Sequence, residues 1–522
     1  MKFASLVGRL AAVCFVGALV IAIVPDTAGA SPVTLYVATG GSNTNNNCQV
    51  ANVPCQTIGY ALSIAPSGAT VDVQAGVYNE QLTINKAVTI VGAGSSRTVI
   101  EPSALPSSDK DTDSTLPQFA VVDVTSATDV NLEDLGVNGS AATPSFDSDG
   151  FGCAQDFVGV YFHDSSGSMS YDSVTGIELP ADLFGCQGGL GVYAATDSAS
   201  ALQTSLTMSN DTVGTYDKNG ITCDDPGTTC VITHSSVTGI GSTPAVAQNG
   251  VQIWAASGSL SNDTITRNTY DGPTYAASGI LVLNPSTLSV LSNVVTSNDS
   301  DMYVLQDQSP DWVLCGNTIL PPTCTNPAKA GAVFNVSKNR ALDATNAYGN
   351  PPGFGFADGI DFDSITQATT VKSNVASGDP GNGISLYGAT KVAATKNTAS
   401  DDGNGMYLGS GTASSVASAN TLLKNNVSAA AGDGILADTG SSGNTLKKNT
   451  ISVSASFDAQ DNSIGTGTSG TANLWSHNAC TTSSPAGLCS IAHGPRTGTV
   501  NHGARSSRSH HIGVTRRVSS VR

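Results

Sequence analysis

The chain has 522 residues and a net charge of −18, yet only 12 % of its residues are charged. About 25 % is usual for globular proteins, so a fold built on long, charged surface helices is not favoured. Nucleic acid is excluded as a partner, because its phosphates would be repelled by this charge. The chain is rich in Gly, Asn, Ser, Thr and Asp, which is typical of many short strands joined by turns.

The first 30 residues are predicted to be a signal peptide. A short basic region precedes an apolar run from Leu10 to Val24, and Ala28-Gly29-Ala30 provides the small residues of a cleavage site. The apolar run is shorter than the ~20 residues that a membrane span needs. We therefore predict a secreted, extracellular protein without a membrane span, whose mature chain starts near Ser31.

Ten cysteines remain once Cys14 leaves with the predicted signal, and an even number in an exported chain indicates disulfides. Zinc binding by these cysteines is not favoured, because no Cys-x-x-Cys spacing occurs. Connectivity is left open by sequence alone. The pairs formed by sequence order are Cys48 with Cys55, Cys153 with Cys186, Cys223 with Cys230, Cys315 with Cys324, and Cys480 with Cys489.

Residues 490–522 are predicted to be a basic, disordered tail. They contain six arginines, four histidines and no acidic residue, and they show no apolar periodicity. Two interpretations stay open: the tail contacts an anionic cell wall, or it is solvated and has no role.

A short unit recurs from about residue 210. It begins with Asn or Asp, continues with Gly and ends in a strand of alternating apolar residues, with spacings of 22 to 30 residues between several successive glycines. The units start at Asn219-Gly220, Asn249-Gly250, Ser278-Gly279, Asp358-Gly359, Asn382-Gly383, Asn404-Gly405 and Asp433-Gly434. A further Asn follows six of these seven units, at Asn262, Asn293, Asn374, Asn397, Asn425 and Asn449.

This repeat predicts an all-β, single-stranded, right-handed parallel β-helix over residues 31–489. Val251 and Ile253 share one face of a strand, and stacked coils would join such faces into a continuous core. The glycine is predicted to supply a positive φ at a tight turn. The recurring Asn is predicted to hydrogen-bond along the stack. A β-propeller is not favoured, because its blades need about 40 residues.

Residues 31–100 are predicted to form the N-terminal cap and the first coils. Ile58, Ala61, Leu62 and Ala65 have the spacing of a short amphipathic helix. Such a helix would cover the open end of the stack, which otherwise exposes strand edges and core.

Several segments resemble bacterial proteins of the pectin-lyase-like superfamily, with repeats of the carbohydrate-binding and sugar-hydrolase type. They are Leu35–Val37, Pro54–Ile58, Gly76–Glu80, Ile90–Gly92, the Gly-Ile and Asn repeats of 210–450, Ser463–Thr468, Asn473–Trp475 and Cys480–Cys489. Together they cover most of 31–489. The resemblance implies the β-helix fold and an extracellular protein that binds or modifies polysaccharide. It leaves the reaction unassigned, because this superfamily includes lyases, hydrolases, esterases, epimerases and binding proteins.

Two alternatives to that function stay open. One is a non-catalytic structural or surface-adhesion solenoid. The other is a pectin-type lyase or esterase, which the sequence disfavours because Arg267 is the only arginine between Arg97 and Arg340. The Gly-His-Gly and Arg-x-Lys motifs of polygalacturonase-like enzymes are absent as well. If the protein is an enzyme, a polysaccharide hydrolase or lyase is expected.

Outward residues of stacked strands should form rows that a glycan can contact. One predicted row is Gln252, Leu281, Asp361, Ser385, Tyr407 and Leu436; the next is Trp254, Leu283, Asp363, Tyr387, Gly409 and Asp438. Trp254, Tyr387 and Tyr407, with Gln252, are the predicted substrate-binding residues, because sugar C–H groups stack on aromatic faces while hydroxyls need polar partners.

Asp361 and Asp363 are the predicted catalytic pair. At positions i and i+2 of one strand they share a face and lie roughly 7 Å apart, within the ~6.5–9.5 Å range of inverting glycosidases. Close carboxylates also raise one pKa, which suits a general acid. The alternative is a pair of solvated acids or a weak calcium site.

No cofactor is expected from the sequence, calcium being the one ion that its Asp-rich turns would suit. These turns contain Asp299, Asp301, Asp379, Asp401 and Asp402. The metal site itself is not assigned. The histidines show no triad spacing, so His163, His234 and His477 are expected at surfaces or turns. The expected partner is a polysaccharide or cell-wall glycan, and a monomer is expected.

Overall fold

The computed structural model describes residues 33–110, 117–144, 156–181, 183–186, 188–197, 200–272, 276–284, 286–306, 333–345, 357–411 and 415–490. All of these belong to one compact unit of the chain. The predicted signal peptide, residues 491–522 of the predicted tail, and Cys153, Cys315 and Cys324 lie outside the described residues.

Three long parallel sheets form the structure, and successive strands of the chain pass from sheet A to sheet B to sheet C and back to sheet A. This is the predicted right-handed parallel β-helix. Each coil therefore adds one strand to each sheet, and neighbouring strands in a sheet come from neighbouring coils. Parallel strands in register place equivalent side chains above one another.

The strands of sheet A are Thr34–Val37, Ala69–Val73, Val88–Val91, Val130–Glu133, Ser166–Ser170, Ser205–Ser209, Thr229–Thr233, Ser257–Ser261, Leu288–Leu291, Phe334–Ser337, Thr369–Lys372, Val392–Thr395, Thr421–Leu423, Thr445–Lys447 and Leu474–Ser476. Those of sheet B are Gly76–Tyr78, Thr98–Ile100, Gly136–Asn138, Ser173–Thr175, Thr212–Gly214, Ser236–Thr238, Thr264–Thr266, Val294–Thr296, Arg340–Leu342, Val375–Ser377, Thr398–Ser400, Asn426–Ser428 and Thr450–Ser452.

Sheet C contains Leu82–Ile84, Pro117–Thr125, Asp156–His163, Leu190–Ala195, Asn219–Asp224, Asn249–Trp254, Ser278–Leu283, Ser300–Leu305, Ile360–Asp363, Asn382–Tyr387, Asn404–Gly409, Ile435–Ala437, Ala459–Asp461 and Ser483–Ser484. One antiparallel strand, Asp109–Lys110, pairs with Pro117–Thr125. A small parallel pair joins Ala104–Leu105 to Thr143–Pro144, and Thr468–Gly470 is a 3-10 turn.

The predicted capping helix is present at Ile58–Ile64. The Thr57 hydroxyl caps it by accepting the N–H of Tyr60. The Glu80 carboxylate accepts two further free N–H groups of the first turn, from Ile58 at 2.9 Å and Gly59 at 2.7 Å. The helix packs Ile58 and Leu62 into the core, as the spacing predicted.

The core consists of inward side chains stacked coil upon coil. One such row runs through sheet C as Ile221, Val251, Ile280, Met302, Ile360, Ile384, Met406 and Ile435. Every member is at most 1 % exposed. One coil alone cannot bury such a side chain, so each coil depends on its neighbours for stability.

The recurring Asn forms a ladder at the corner between sheets A and B, as predicted. In a typical step, the backbone N–H and the side-chain amide of Asn374 both donate to Oδ1 of Asn397, at 2.9 and 3.0 Å. The same amide donates to the Val336 carbonyl at 2.9 Å. The ladder members are Asp172, Asp211, Ser235, Asp263, Asn293, Asn339, Asn374, Asn397, Asn425, Asn449 and Asn478.

One predicted ladder residue is displaced by a single position. Asn262 occupies the first corner residue, with a φ of 60°, and Asp263 takes the ladder position. In every coil of the ladder the first corner residue adopts this left-handed conformation, which Asn tolerates well. Sequence alone could not tell which of the two adjacent polar residues points inward.

The prediction for the repeated glycine was wrong in its physical reason. The glycines of the Asn-Gly units do not adopt a positive φ. Their Cα atoms instead pass close to the next coil: a Cβ on Gly250 would lie 2.6 Å from the Gly279 carbonyl oxygen. At Gly405 the corresponding distance, to the Gly434 carbonyl oxygen, is 2.7 Å. The repeat therefore needs glycine for close backbone approach between coils.

Candidate functional site

The predicted rows lie on the outer face of sheet C, the face that points away from the core. The first row is Gln252, Leu281, Tyr303, Asp361, Ser385, Tyr407 and Leu436 in paired register. The second is Trp254, Leu283, Leu305, Asp363, Tyr387 and Gly409. Tyr303 and Leu305 were missed, because their strand starts with Ser300-Asp301 and lacks the Asn-Gly signal.

The two acids alternate with core residues, so they do share the outer face. Ile360 and Phe362 point into the core. Asp361 lies between them in the strand, and Asp363 follows Phe362. Both acids are fully buried, at 0 % exposure. Asp363 accepts hydrogen bonds from the Ser364 hydroxyl at 2.9 Å and the Tyr303 hydroxyl at 3.4 Å. These partners fix the orientation of the Asp363 carboxylate.

Tyr387 and Tyr407 are brought together on adjacent strands. Their ring centroids are 4.8 Å apart with a tilt of 48°, and both rings are partly exposed. The Tyr387 hydroxyl accepts from the Asn382 amide at 3.0 Å, and the Tyr407 hydroxyl donates to Asp438 at 3.1 Å. The glycine at 409 leaves room for the Tyr407 ring, which a Cβ there would contact. The pair is thus a positioned aromatic surface.

A buried hydrogen-bond network supports this surface from its edge. The Asp358 carboxylate accepts the backbone N–H of Asn382 at 2.6 Å and the Ser385 hydroxyl at 2.7 Å. The Asn382 side chain, in turn, accepts from the Asn404 amide at 2.9 Å. Because Asn382 also holds the Tyr387 hydroxyl, the network fixes one ring of the aromatic pair.

Trp254 and Gln252 lie several coils away from the two tyrosines, toward the N-terminal end of the stack. Four register steps separate Trp254 from Tyr387, or about 19 Å at ~4.8 Å per step. Trp254 packs with Tyr303 on an apolar cluster formed by three buried leucines, Leu281, Leu283 and Leu305. Gln252 is buried and within reach of the Asn249 amide, at 3.3 Å. The predicted binding residues therefore form two aromatic groups, and the acid pair lies between these groups along the stack.

Three acids of the Asp-rich turns that the sequence offered for calcium accept backbone N–H groups. Asp379 and Asp402 lie inside the helix at the corner between sheets B and C, where the backbone N–H of Asp379 donates to Oδ1 of Asp402 at 3.2 Å. Burial, with the charges of Asp358 and Asp343, raises the pKa of Asp379 to about 8. Burial, with the charge of Asp379, raises the pKa of Asp402 to about 9. Asp299 caps two backbone N–H groups, of Tyr270 and Ala277.

A second cluster of polar groups lies near the other end of sheet C, and sequence reasoning missed it. Tyr161 stacks on Tyr193 at 4.9 Å and on His163 at 5.3 Å. His163 is buried, contrary to its expected surface position. His163, Asp164 and Asp197 place one ligand atom each within 4.8 Å of one another. Tyr161 and His163 flank the core residue Phe162, and this alternation indicates that both lie on the outer face. This coil lacks the Asn-Gly unit that would have set its register.

Three of the five predicted disulfides are present among the described residues: Cys48–Cys55, Cys223–Cys230 and Cys480–Cys489. Cys186 is also disulfide-bonded. Such bonds persist in oxidising environments outside the cytoplasm. Within the described ranges, no helix is long and apolar enough to cross a membrane.

A family model described as "Periplasmic copper-binding protein (NosD)" matches residues 355–484, about a quarter of the chain. No curated protein matches the sequence. The match covers the most regular coils, including the acid pair and both tyrosines of the platform.

Solved structures with a similar fold share little sequence with the chain. The A-module of the mannuronan C-5 epimerase AlgE6 from Azotobacter vinelandii has a TM-score of 0.45 and 15 % identity, over 81 % of this chain and 93 % of that module. The catalytic unit of a GH87 α-1,3-glucanase from Streptomyces thermodiastaticus has a TM-score of 0.42 and 15 % identity, over 81 % and 65 %. The pectate lyase Pel9A has a TM-score of 0.34 and 14 % identity, over 76 % of each chain.

These similarities concern the fold alone. The three parallel sheets, the stacked core rows and the asparagine ladder give the chain its class. The chain is a right-handed parallel β-helix repeat protein.

Proposed function

We propose that this protein binds a polysaccharide along the outer face of sheet C, with Tyr387 and Tyr407 as the stacking platform. The observation that carries the proposal is the tilted tyrosine pair, partly exposed and held by Asn382 and Asp438. A sugar ring presents C–H groups to an aromatic face and hydroxyls to nearby acceptors. Fixed rings lose little entropy when they bind, so their orientation favours affinity.

The partner is proposed to be a chain rather than a single sugar. Outward residues repeat at about 4.8 Å along the stack, so the face offers a series of equivalent positions. Trp254, about 19 Å from Tyr387 by the register, supplies a second aromatic group on the same face. A polysaccharide that lies along the stack would contact both groups, which a monosaccharide could not do.

Asp361 and Asp363 are proposed as the acid pair of a reaction on that glycan. Both are buried, so binding is the part of the proposal that the geometry supports best, and a reaction requires the glycan to reach them. If hydrolysis occurs, one carboxyl would protonate the leaving oxygen while the other activates water. Tyr303 and Ser364 would hold Asp363 in place.

Secretion is proposed as the location. The disulfides fit an oxidising compartment, and the leading 30 residues have the pattern of a signal peptide. Sequencing the N-terminus of the chain recovered from the culture medium tests this directly. A start near Ser31 is expected, and retention of Met1 in the cytoplasm would contradict it.

Binding is tested on an array of acidic and neutral plant, algal and cell-wall glycans, followed by calorimetry on the best one. Tyr407→Ala is expected to weaken binding about fivefold, since each stacking contact contributes ~1 kcal/mol. Tyr171→Ala is the matched control, because Tyr171 is 59 % exposed at the corner between sheets A and B. Equal losses in both variants, or no glycan bound by the parent, would refute the platform.

Turnover is tested on the same glycans with and without a calcium chelator. Metal-independent hydrolysis that Asp361→Asn and Asp363→Asn abolish, in variants that still fold, would support the acid pair. Calcium-dependent release of an unsaturated, ultraviolet-absorbing product would indicate a lyase instead. Binding without any turnover selects the binding or adhesion function.

A further inference from the structure

The cluster of His163, Asp164 and Asp197 has no part in the proposed glycan platform. Its three ligand atoms lie within 4.8 Å of one another, and Nε2 of His163 is 3.6 Å from Oδ2 of Asp164. Ligand atoms of a tetrahedral zinc site, with bonds of about 2.0–2.2 Å, are separated by about 3.4 Å. The separation of the His163 and Asp164 atoms is therefore close to what a bound metal would impose, and the Asp197 carboxylate lies within 4.8 Å of both.

We propose that His163, Asp164 and Asp197 form a binding site for a divalent first-row transition metal. One imidazole and two carboxylates suit zinc and its neighbours, whereas calcium prefers a shell made of oxygen alone. Three protein ligands leave at least one coordination position open, as in zinc sites that bind an exogenous ligand. The cluster lies outside the segment 355–484 that the family model matches.

The imidazole is held in place by its surroundings. His163 ends the strand Asp156–His163, and its backbone pairs with Thr125 in one neighbouring coil and Ala195 in the other. Its ring lies parallel to that of Tyr161, with an interplanar angle of 5°. The imidazole is therefore oriented before any ligand arrives, which lowers the cost of binding.

The two acids come from the turns that follow adjacent strands of sheet C. Asp164 directly follows His163 and adopts a left-handed φ of 48°, which turns the chain at this point. Oδ1 of Asp164 accepts the backbone N–H of Asp197 at 2.9 Å. This bond fixes the Asp164 carboxylate, so that Oδ2 stays on the side of the imidazole.

Further acids lie on the next coil of the same corner. Ala195 is paired with Asp224, and Asp225 follows it. Their negative charge would raise the local concentration of a cation. His163 is 5 % exposed and Asp164 is 7 % exposed, so a metal here would be largely shielded from bulk water. Coulombic attraction between ion and carboxylates is stronger in such a place.

The test uses the complete chain in which the four tail histidines, His493, His502, His510 and His511, are all replaced by Gln. This removes a competing source of imidazole and defines the parent. After treatment with a chelator and dialysis, Zn²⁺ is titrated into the parent by calorimetry, and Ca²⁺ is titrated in parallel. One zinc site per chain is expected in the parent, with zinc bound at least tenfold more tightly than calcium.

His163→Gln is expected to weaken zinc binding about 100-fold or more, and Asp197→Asn about tenfold or more. His234→Gln is the matched control, since His234 is exposed at the corner between sheets A and B, and its affinity should stay within twofold of the parent. Zinc should also raise the thermal midpoint of the parent but not that of His163→Gln. X-ray absorption at the zinc edge should show a single imidazole and oxygen ligands.

Equal zinc affinity in the parent and in His163→Gln would overturn the proposal, as would a parent that binds no zinc or binds calcium as well as zinc. Thermal melts without metal show whether each variant folds. Should His163→Gln fail to fold, the Asp197→Asn variant and the absorption spectrum test the site instead, because Asp197 is partly exposed. Retained affinity in Asp197→Asn together with a spectrum lacking imidazole would then count against the site.

Discussion

Asp263→Asn should stabilise the protein, because Asp263 is an acid in a position that the neighbouring coil fills with asparagine. Oδ1 of Asp263 accepts the Ser235 N–H at 2.8 Å, and its own N–H donates to Asn293 at 2.9 Å. In the next coil, the Asn293 amide donates to the Leu260 carbonyl at 3.1 Å. By the register, an amide at 263 would face the carbonyl of Ile232.

The size of the stabilisation expected from Asp263→Asn depends on pH. The new hydrogen bond is worth ~1 kcal/mol at any pH. Burial raises the pKa of Asp263 from 3.8 to about 7, and the N–H groups of Ser235 and Ser261 oppose this only in part. At ~1.4 kcal/mol per pKa unit, ionising this carboxyl in the folded chain costs up to ~4 kcal/mol above pH 7. Asparagine removes that cost, so the gain should rise from ~1 kcal/mol at pH 4 to several kcal/mol at pH 8.

Urea denaturation of parent and variant at pH 4, 6 and 8 measures the difference. Asp134→Asn is the matched control, since Asp134 is the exposed first residue of the same corner in another coil, and no change is expected there. Asn293→Asp, the reverse exchange one coil along, should destabilise the protein, and more so at pH 8. A gain for Asp263→Asn that is the same at every pH, or a loss, would refute the reasoning.

Two further predictions concern the corner between sheets B and C and the sheet C strand that follows it. Gly383→Ala should destabilise the protein by ~1–3 kcal/mol and so lower its thermal midpoint, because a Cβ there would lie 2.8 Å from the Gly405 carbonyl oxygen. Gly40→Ala is the control and should be neutral, since a Cβ on Gly40 would meet no atom within 4 Å. The parent should lose stability as pH rises from about 4 through 8 and 9, because Asp379 and Asp402 keep their protons only when folded. Asp402→Asn should flatten that dependence, which thermal melts in buffers of matched ionic strength would detect.

The fold was predictable because each coil repeats the same physical requirements. Alternating residues such as Val251 and Ile253 mark strands, and the recurring Asn marks a corner that needs hydrogen bonds along the stack. The reason for the glycine was not predictable, since close approach between coils involves residues some 30 positions apart. The displacement of the ladder from Asn262 to Asp263 likewise depends on which side chain points inward, and composition does not show it.

The candidate site was predictable where the repeat is regular. The rows through Asp361 and Tyr407 follow from counting between Asn-Gly units. Where coils depart from that unit the register is lost, so Tyr303 was missed and His163 was expected at a surface or turn. Burial was also out of reach, because the exposure of an outward side chain depends on what packs over it and not on its own strand alone.

Asp361→Leu tests whether the acid pair is kept for function. Leu281 occupies the same row two strands away, so a leucine is compatible with this face. A buried carboxyl costs free energy that a leucine does not, and residues that serve a reaction often lower stability. We expect Asp361→Leu to raise the thermal midpoint while abolishing any turnover. A lower midpoint would show that the contacts of this carboxyl outweigh its burial, which would make Asp361 a structural residue and leave glycan binding without the acid pair as the function of this face.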